Sequence, residues 1–171
     1  MLHISYGSPP DSYYLTRYHV LREPLGMSIG SERLVDDLEA YHAWIEHDGQ
    51  VVAVGRAHII SENSDGSGQD HAGPDASFIP AFGPLATSMV PRPVFQIRQM
   101  GTLPSVQRLG FASRILEELE ETMSNLGAKT GFLQARLLAI PFYESQGWIC
   151  IDEPYEILGV GPHRSMMKQL N

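Results

Sequence analysis

The chain has little cysteine, no basic run and no long apolar run. Cys150 is the only cysteine, which excludes an intrachain disulfide and fits a reducing compartment. No apolar run approaches the roughly 20 residues of a membrane-spanning helix. The first residues, MLHISYGSPPDS, lack the basic-then-apolar pattern of a signal peptide. We therefore expect no membrane partner, and we expect the protein in the cytoplasm.

Positive charge is also scarce. Only 12 lysines and arginines stand against 20 aspartates and glutamates, which gives a formal net charge of −8. This balance argues against a nucleic-acid partner and mildly favours cationic ones such as amines, although an acidic surface also keeps a protein soluble. The 171 residues, 43% of them apolar, predict a single globular domain over residues 1–171.

The stretch around which the chain is organised is residues 95–114, FQIRQMGTLPSVQRLGFASR. Its alternating apolar residues predict a strand that Pro104 ends. Apolar residues at spacings of three and four from Ile115 to Leu126 predict a helix. The turn between them gathers the unpaired N–H groups of a helix N-terminus, where the helix dipole adds positive potential. Such a turn is an anion site, above all for phosphate, although an ordinary packing turn has the same pattern.

Two other phosphate-binding loops do not fit this turn. The chain has no Gly-x-x-x-x-Gly-Lys-Ser/Thr sequence, and the dinucleotide pattern would need a glycine where Gln107 or Arg108 stands. Gly110 and Ala112 have small side chains, which let a phosphate approach the main chain closely. An unrelated phosphate-binding domain stays open as an alternative on these residues alone.

Two blocks of residues resemble the GNAT superfamily of N-acetyltransferases. After MGTLP at residues 100–104, residues 107–112, QRLGFA, are similar to the acyl-CoA signature Gln/Arg-x-x-Gly-x-Gly/Ala. Residues 139–148, AIPFYESQGW, are similar to the family's Ala-x-x-Phe-Tyr-x-x-x-Gly-Phe. The blocks come in family order, and the resemblance covers about residues 40–170. It implies an α/β (α+β) fold with a mixed, mostly antiparallel twisted sheet and helices on both faces.

The resemblance implies acetyl transfer from acetyl-CoA to a primary amine, either of a small molecule or of a protein or peptide. It implies main-chain contacts to the thioester and the pantetheine arm from Met100, Gly101 and Thr102. It implies that the pyrophosphate binds at the helix N-terminus, at Gln107, Arg108, Leu109, Gly110, Phe111, Ala112 and Ser113. The runner-up hypothesis is a non-catalytic acyl-CoA sensor or interaction module on the same fold.

Tyr143 corresponds to the family's tyrosine near the cofactor sulfur. A phenol has a pKa of about 10, so it stays protonated at neutral pH and can donate to a thiolate; alternatively the ring only packs against the cofactor. The family often places a glutamate on the central strand, but this strand has none. The general base therefore stays open between Glu46, His58, His163 and an ordered water.

Three segments before the central strand have sequence patterns that predict their structure. Residues 1–10 form a loose lead-in, and the apolar residues Tyr14, Leu15, Tyr18 and Leu21 predict one buried face of a helix over Tyr13–Arg22. Residues 20–26, VLREPLG, resemble the N-terminal helix segment of a GNAT subgroup, which lies beside the acceptor pocket, although a plain core helix with a loop fits equally well. Alternation over residues 41–60 around Asp48-Gly49 predicts a β-hairpin.

A long insert over residues 61–93 is rich in glycine, proline, serine and aspartate. Such a loop is usually functional or disordered. The apolar residues among 78–89 predict a flap folded onto the domain or a partner, with an inert insertion as the alternative. His71, with Asp70 and Asp75 nearby, fits no metal-ligand template and predicts a surface loop. The insert and the last strand, 163–170, are candidate surfaces for a homodimer.

Overall fold

The computed structural model describes residues 1–87 and 90–171, so positions 88 and 89 of the predicted flap lie outside the described residues. The helices are α1 (Asp11–Leu21), α2 (Gly83–Ala86), α3 (Phe111–Asn125) and α4 (Ile140–Ser145). The first strands are β1 (Leu2–Tyr6), β2 (Tyr41–His47), β3 (Gln50–Ile60), β4 (Gly68–Gln69) and β5 (Phe78–Ile79). The remaining strands are β6 (Val94–Thr102), β7 (Thr130–Arg136), β8 (Ile149–Cys150), β9 (Tyr155–Ile157) and β10 (Gly161–Gln169).

The main sheet has the strand order β1-β2-β3-β6-β7-β10-β8, and β9 also pairs with β10. All neighbouring strands run antiparallel except β6 and β7, which are parallel. The predicted mixed, mostly antiparallel sheet is therefore confirmed, as is the hairpin of β2 and β3. Within the described residues, no helix is long and apolar enough to cross a membrane.

Helices α1 and α3 pack on opposite faces of this sheet. Trp44 of β2 lies in a cluster with Tyr13 and Tyr14 of α1. Its neighbours on the strand, Ala43 and Ile45, belong to the main core with α3. Successive side chains of a strand point to opposite faces, so this alternation gives the sheet two buried sides.

The expectation of a loose N-terminus is wrong. Residues 2–6 form β1, which pairs with β2 from Leu2 opposite Ile45 to Tyr6 opposite Tyr41. Pro9 and Pro10 follow the strand instead of interrupting it. The strand depends on its pairing with residues about 40 positions away, and no local pattern reports such a pairing.

The predicted buried face of α1 is also wrong in part. Leu15 is 55% exposed, whereas Thr16 and Arg17 are buried. Thr16 Oγ1 donates to the Val51 carbonyl at 2.8 Å, and Arg17 Nη1 pairs with Asp37 at 3.0 Å. Because these polar groups have partners, they can lie inside at a modest cost. The hydrophobic pattern therefore could not identify the buried side.

The described part of the insert packs on the sheet. Ile79, Phe82 and Leu85 are buried, and the last two join a cluster with Phe132 of β7. The Phe82 and Phe132 ring centroids are 5.0 Å apart. Phe78 remains 69% exposed. Strand β10 pairs on one edge with β7 and on the other with β8 and β9, so much of its backbone is used within the chain.

Candidate active site

A gap between β6 and β7 forms the centre of the candidate site. The two strands pair only at Val94–Thr130, Phe95–Gly131 and Gln96–Phe132, and they diverge beyond that point. The opening is a cavity of about 370 Å³. Residues of α1, β6, β7, α4 and β10 line it, together with two residues of the insert. The gap thus brings together segments that are distant in sequence.

Met100, Gly101 and Thr102 line this cavity from β6. A bulge precedes them, where Gln99 has a φ of 57° and the pairing with β3 shifts register. The Leu103 N–H donates to the Val52 carbonyl at 2.8 Å, toward β3. Alternation along the strand then directs the Thr102 N–H to the open side of β6. This N–H is available to a carbonyl oxygen in the gap.

The close contact between β6 and α1 requires the glycine at position 101. A Cβ there would lie 2.7 Å from Val20 Cγ1 and 3.3 Å from Leu21 Cδ2. These two residues and Arg22 line the cavity. The C-terminal end of α1 therefore forms one wall of the site.

The N-terminus of α3 lies at the margin of the same cavity, which Gln107 lines. Arg108 and Gly110 have positive φ values of 66° and 80°, and the helix begins at Phe111. No side chain of residues 1–87 or 90–171 caps this end of the helix. Because the first N–H groups of a helix have no intrahelical partner, those of Gly110, Phe111, Ala112 and Ser113 are available to an anion.

The surroundings of this turn are open. Within the described part of the chain, no atom lies within 4 Å of the position that a Cβ on Gly110 would take. Arg108, Leu109 and Gly110 are exposed, whereas Phe111, Ala112 and Ser113 are half-buried. The turn thus has both free donors and the room that a phosphate needs.

Tyr143 of α4 lines the cavity from the side of β7. Its ring is buried and packs edge-on against Trp148 at a centroid distance of 6.3 Å. Its hydroxyl has no hydrogen-bond partner among the described residues. Burial raises the pKa of Tyr143 above the usual value for a phenol, and the charge of Arg136 offsets only part of that effect. Tyr143 is therefore protonated at neutral pH and can donate a proton.

Of the three side chains considered as general base, the cavity contains only His163 among the described residues. Its Nδ1 lies 2.8 Å from the Gly161 carbonyl oxygen, which can only accept, so Nδ1 carries the proton. In the neutral ring Nε2 then has a free lone pair. Burial lowers the pKa of His163, which keeps this ring neutral at pH 7.

The other two candidates lie elsewhere. Glu46 of β2 lies beside the first strand, β1, where its carboxylate is 3.5 Å from His3 Nε2. His58 instead lines a second cavity of about 340 Å³. Arg56 Nη2 donates to His58 Nδ1 at 3.0 Å. Burial and the Arg56 charge lower the pKa of His58 to about 3.

The structure adds charged residues that the sequence did not indicate. Asp70 and His71 are 8% and 7% exposed, so the surface-loop prediction for them is wrong. Arg22 Nη1 pairs with Asp70 Oδ2 at 2.9 Å, and Arg98 Nη2 donates to the Asp70 carbonyl at 3.0 Å. Asp70 and these arginines line the cavity, as does Arg136. Only a three-dimensional fold brings an insert aspartate against α1 and β6.

Gln134 of β7 lies at the inner end of the gap. Its Oε1 accepts from Gln96 Nε2 at 2.8 Å, which links β7 to β6 at the inner end of the gap. Its Nε2 lies 3.5 Å from the Pro80 carbonyl oxygen of the insert. Gln134 thus closes the bottom of the gap in this chain.

Comparisons with known proteins agree with this geometry. A model of the acetyltransferase (GNAT) family matches residues 6–148. An uncharacterized N-acetyltransferase of Bacillus subtilis (strain 168), YitI, is 24% identical over 172 aligned positions, covering 99% of this chain and 97% of the relative. Escherichia coli ElaA is 17% identical, with a TM-score of 0.70 and 99% coverage of both chains. A Bacillus subtilis acetyltransferase in complex with CoA is 12% identical, with a TM-score of 0.59 and full coverage of both chains.

Proposed function

Because the chain belongs to the acetyltransferase (GNAT) family, we propose that it transfers an acetyl group from acetyl-CoA to a primary amine. The resemblance seen in residues 107–112 and 139–148 is thereby confirmed at the level of the family. The observation that carries the proposal is the single cavity shared by the open edge of β6, the margin of α3, Tyr143 and His163. We propose residues 1–171 as one such acyltransferase domain.

The proposed cosubstrate site follows the gap. The free N–H groups at Gln107–Ser113 bind the pyrophosphate, and Arg108 adds a positive charge there or stays solvated. Met100, Gly101 and Thr102 hold the pantetheine arm by main-chain hydrogen bonds, in the way that a sheet edge holds an added strand. The room around Gly110 and the open Thr102 N–H support this placement.

The proposed reaction uses three groups of the chain. His163 Nε2 accepts a proton from the acceptor's ammonium group and passes it to solvent, which leaves a neutral amine. The amine nitrogen then forms a bond to the thioester carbonyl carbon, and the Thr102 N–H stabilises the negative charge that develops on the carbonyl oxygen. The carbon–sulfur bond breaks, Tyr143 donates its proton to the departing thiolate, and the proton that the nitrogen loses returns through solvent to Tyr143. The products are the N-acetylated amine, CoA and one proton released to solvent.

The first experiment compares thermal unfolding with acetyl-CoA, CoA, ATP and NAD. A ligand that binds only the folded state at a hundredfold excess over Kd adds about 2.7 kcal/mol to its stability. We expect a rise in Tm with acetyl-CoA and CoA alone. No rise with either would overturn the cosubstrate site at Gln107–Ser113, and a larger rise with ATP or NAD would favour an unrelated phosphate-binding role.

The second experiment measures release of the CoA thiol with a panel of amines, which include small molecules and peptides. We expect at least one amine to give turnover above the rate of acetyl-CoA hydrolysis. Binding of acetyl-CoA without turnover on any amine would contradict the enzyme and favour a non-catalytic acyl-CoA sensor. This alternative is tested because β6 has no carboxylate that could act as a general base.

A further inference from the structure

The walls of the candidate active site carry an excess of positive charge although the whole chain is acidic. Among the described residues, the lining of the cavity includes Arg22, Arg98 and Arg136 but a single carboxylate, that of Asp70. His163 adds no charge, because burial lowers its pKa. A cavity built only for a cationic amine would have the opposite balance.

Two of these arginines already have partners within the chain. Arg22 binds the Asp70 carboxylate at 2.9 Å and donates to Gln99 Oε1 at 3.2 Å. Arg98 donates to the main-chain carbonyls of Gln69 and Asp70 at 3.2 and 3.0 Å. Asp70 is therefore neutralised by Arg22, and these contacts fix the insert against the site.

Arg136 is different, because its guanidinium makes no hydrogen bond or ion pair with any residue in the described ranges. It is half-buried at the end of β7 and lines the cavity. Burial, followed by the charge of Arg22, lowers its pKa, as expected for a partly buried cation that lacks an opposite charge beside it. An anion in the cavity would relieve this cost, and a carboxylate matches the two parallel donors of a guanidinium.

The location of Arg136 identifies which molecule supplies that anion. Arg136 stands directly opposite His163 in the pairing of β7 with β10, so their side chains share a face of the sheet. Its charge also acts on the Tyr143 hydroxyl. Arg136 thus lies beside the proposed proton acceptor and proton donor, where the amine reacts. The proposed phosphate site is instead at Gln107–Ser113.

We propose that the acceptor is an amino acid-like small molecule, an amine that also carries a carboxylate, and that Arg136 binds this carboxylate while the amine faces His163. This inference rests on the proposed function and specifies its substrate class. The ion pair orients the acceptor, so its loss affects acceptor binding more than the binding of acetyl-CoA.

The test uses matched acceptors with the full-length protein. Amino acids are compared with their amides and with the corresponding decarboxylated amines, and release of the CoA thiol is measured. We expect kcat/KM for the acids to exceed that for the amides by about tenfold or more, the value of one charged hydrogen-bonded contact. Equal values for acids and amides would overturn the proposal, whether or not any variant folds.

Variants then assign the effect to Arg136. We expect Arg136→Gln to remove the preference for acids with an unchanged KM for acetyl-CoA, and Arg136→Lys to restore part of it. The matched control is Arg164→Gln, since Arg164 neighbours His163 on β10 but donates to the Asp152 carbonyl and is absent from the cavity lining. A raised KM for acetyl-CoA in Arg136→Gln would assign Arg136 to the phosphates and overturn the proposal.

Two outcomes separate an error in the substrate class from an error in the proposed function. Turnover of amides and decarboxylated amines at the rate of the acids would leave the acetyltransferase intact and overturn only the substrate class. Binding of acetyl-CoA with no turnover on any acid, amide or amine would overturn the proposed function, and the substrate class with it.

Discussion

At the scale of single residues, Tyr143 gives the most direct test of the proposed chemistry. Replacement by phenylalanine removes the hydroxyl but keeps the ring that packs against Trp148. We expect Tyr143→Phe to lower kcat by about 100-fold or more, because the thiolate then leaves without a proton from the protein. The measurement is steady-state release of the CoA thiol, with the acetyl-CoA thermal shift as the control for binding. A variant with full turnover would show that Tyr143 only packs.

His163 can be tested by a replacement that keeps one of its two functions. In His163→Asn the amide nitrogen can still donate to the Gly161 carbonyl, as Nδ1 does at 2.8 Å, but nothing replaces the Nε2 lone pair. We expect a loss of rate near pH 7 that diminishes as the pH rises toward the pKa of the acceptor amine, because the amine then deprotonates in solution.

The pH profile separates this role from a structural one. Burial lowers the pKa of His163. In the wild type, His163 therefore stays neutral at pH values below the usual pKa of a histidine. The wild type should therefore keep its rate to a lower pH than the variant. Two parallel profiles that differ only by a constant factor would contradict the role of His163 as proton acceptor.

The residues that sequence alone could and could not identify differ in a physical way. Gly110 and Tyr143 could be proposed from the sequence because each belongs to a local block whose spacing follows one turn or one helix. Asp70 and Arg136 were not, because they meet in a cavity that forms only when the insert folds against β6 and β7. A Gly- and Pro-rich segment carries no pattern that reports such contacts.

At the scale of elements, the contact of α1 with β6 determines the shape of the site. A Cβ on residue 101 would lie 2.7 Å from Val20 Cγ1, so Gly101→Ala forces α1 away from the strand. We expect a loss of about 1–3 kcal/mol in the free energy of unfolding, as for other overpacked sites. We also expect a higher KM for acetyl-CoA. Chemical denaturation and steady-state kinetics measure the two effects.

Two further variants check that crowding is the cause. Gly68→Ala is the control, because no atom of the described residues lies within 4 Å of its added Cβ; its stability should change little. Val20→Ala combined with Gly101→Ala should recover part of the lost stability, since it removes the Cγ1 atom in question. An additive loss in the double variant would contradict the steric explanation.

Elements with a strong local signal were predictable, and those with only long-range partners were not. The β2–β3 hairpin follows from its alternation and the Asp48-Gly49 turn, and α3 follows from its apolar face. Strand β1 depends on β2, and the buried side of α1 depends on Arg17 and Asp37. From the sequence pattern alone, a charged residue is predicted to be exposed, so a buried ion pair cannot be predicted.

At the scale of the whole molecule, buried charge couples stability to pH. Arg56 of β3 is fully buried and binds both Asp36 and Asp37. His42 and His58 border this network; burial is the main cause that lowers their pKa values, to about 4 and about 3. Burial opposes ionisation of Asp36, but its hydrogen bonds and charge interaction with Arg56 hold its pKa well below the usual value.

The sign of the pH dependence is the same for both kinds of group. A histidine whose pKa is lowered by folding takes up a proton in the unfolded state first, so stability falls as the pH drops below about 6.5. An aspartate whose pKa is lowered contributes stability that is lost as the pH falls through and below its ordinary value near 4. We therefore expect the free energy of unfolding to decrease steadily on acidification from pH 7.

His58→Asn isolates one member of this set. The asparagine oxygen can accept the hydrogen bond that Arg56 Nη2 gives to Nδ1 at 3.0 Å, but the side chain does not titrate. Between pH 7 and pH 4.5 the wild type should lose about 1–2 kcal/mol more stability than the variant, a value reduced for the partial exposure of His58. Urea unfolding at the two pH values measures the difference. The groups around His58, namely Arg56, Arg98, Asp36 and Asp37, are the same in both proteins, so equal losses would show that His58 is not buried as the neutral ring.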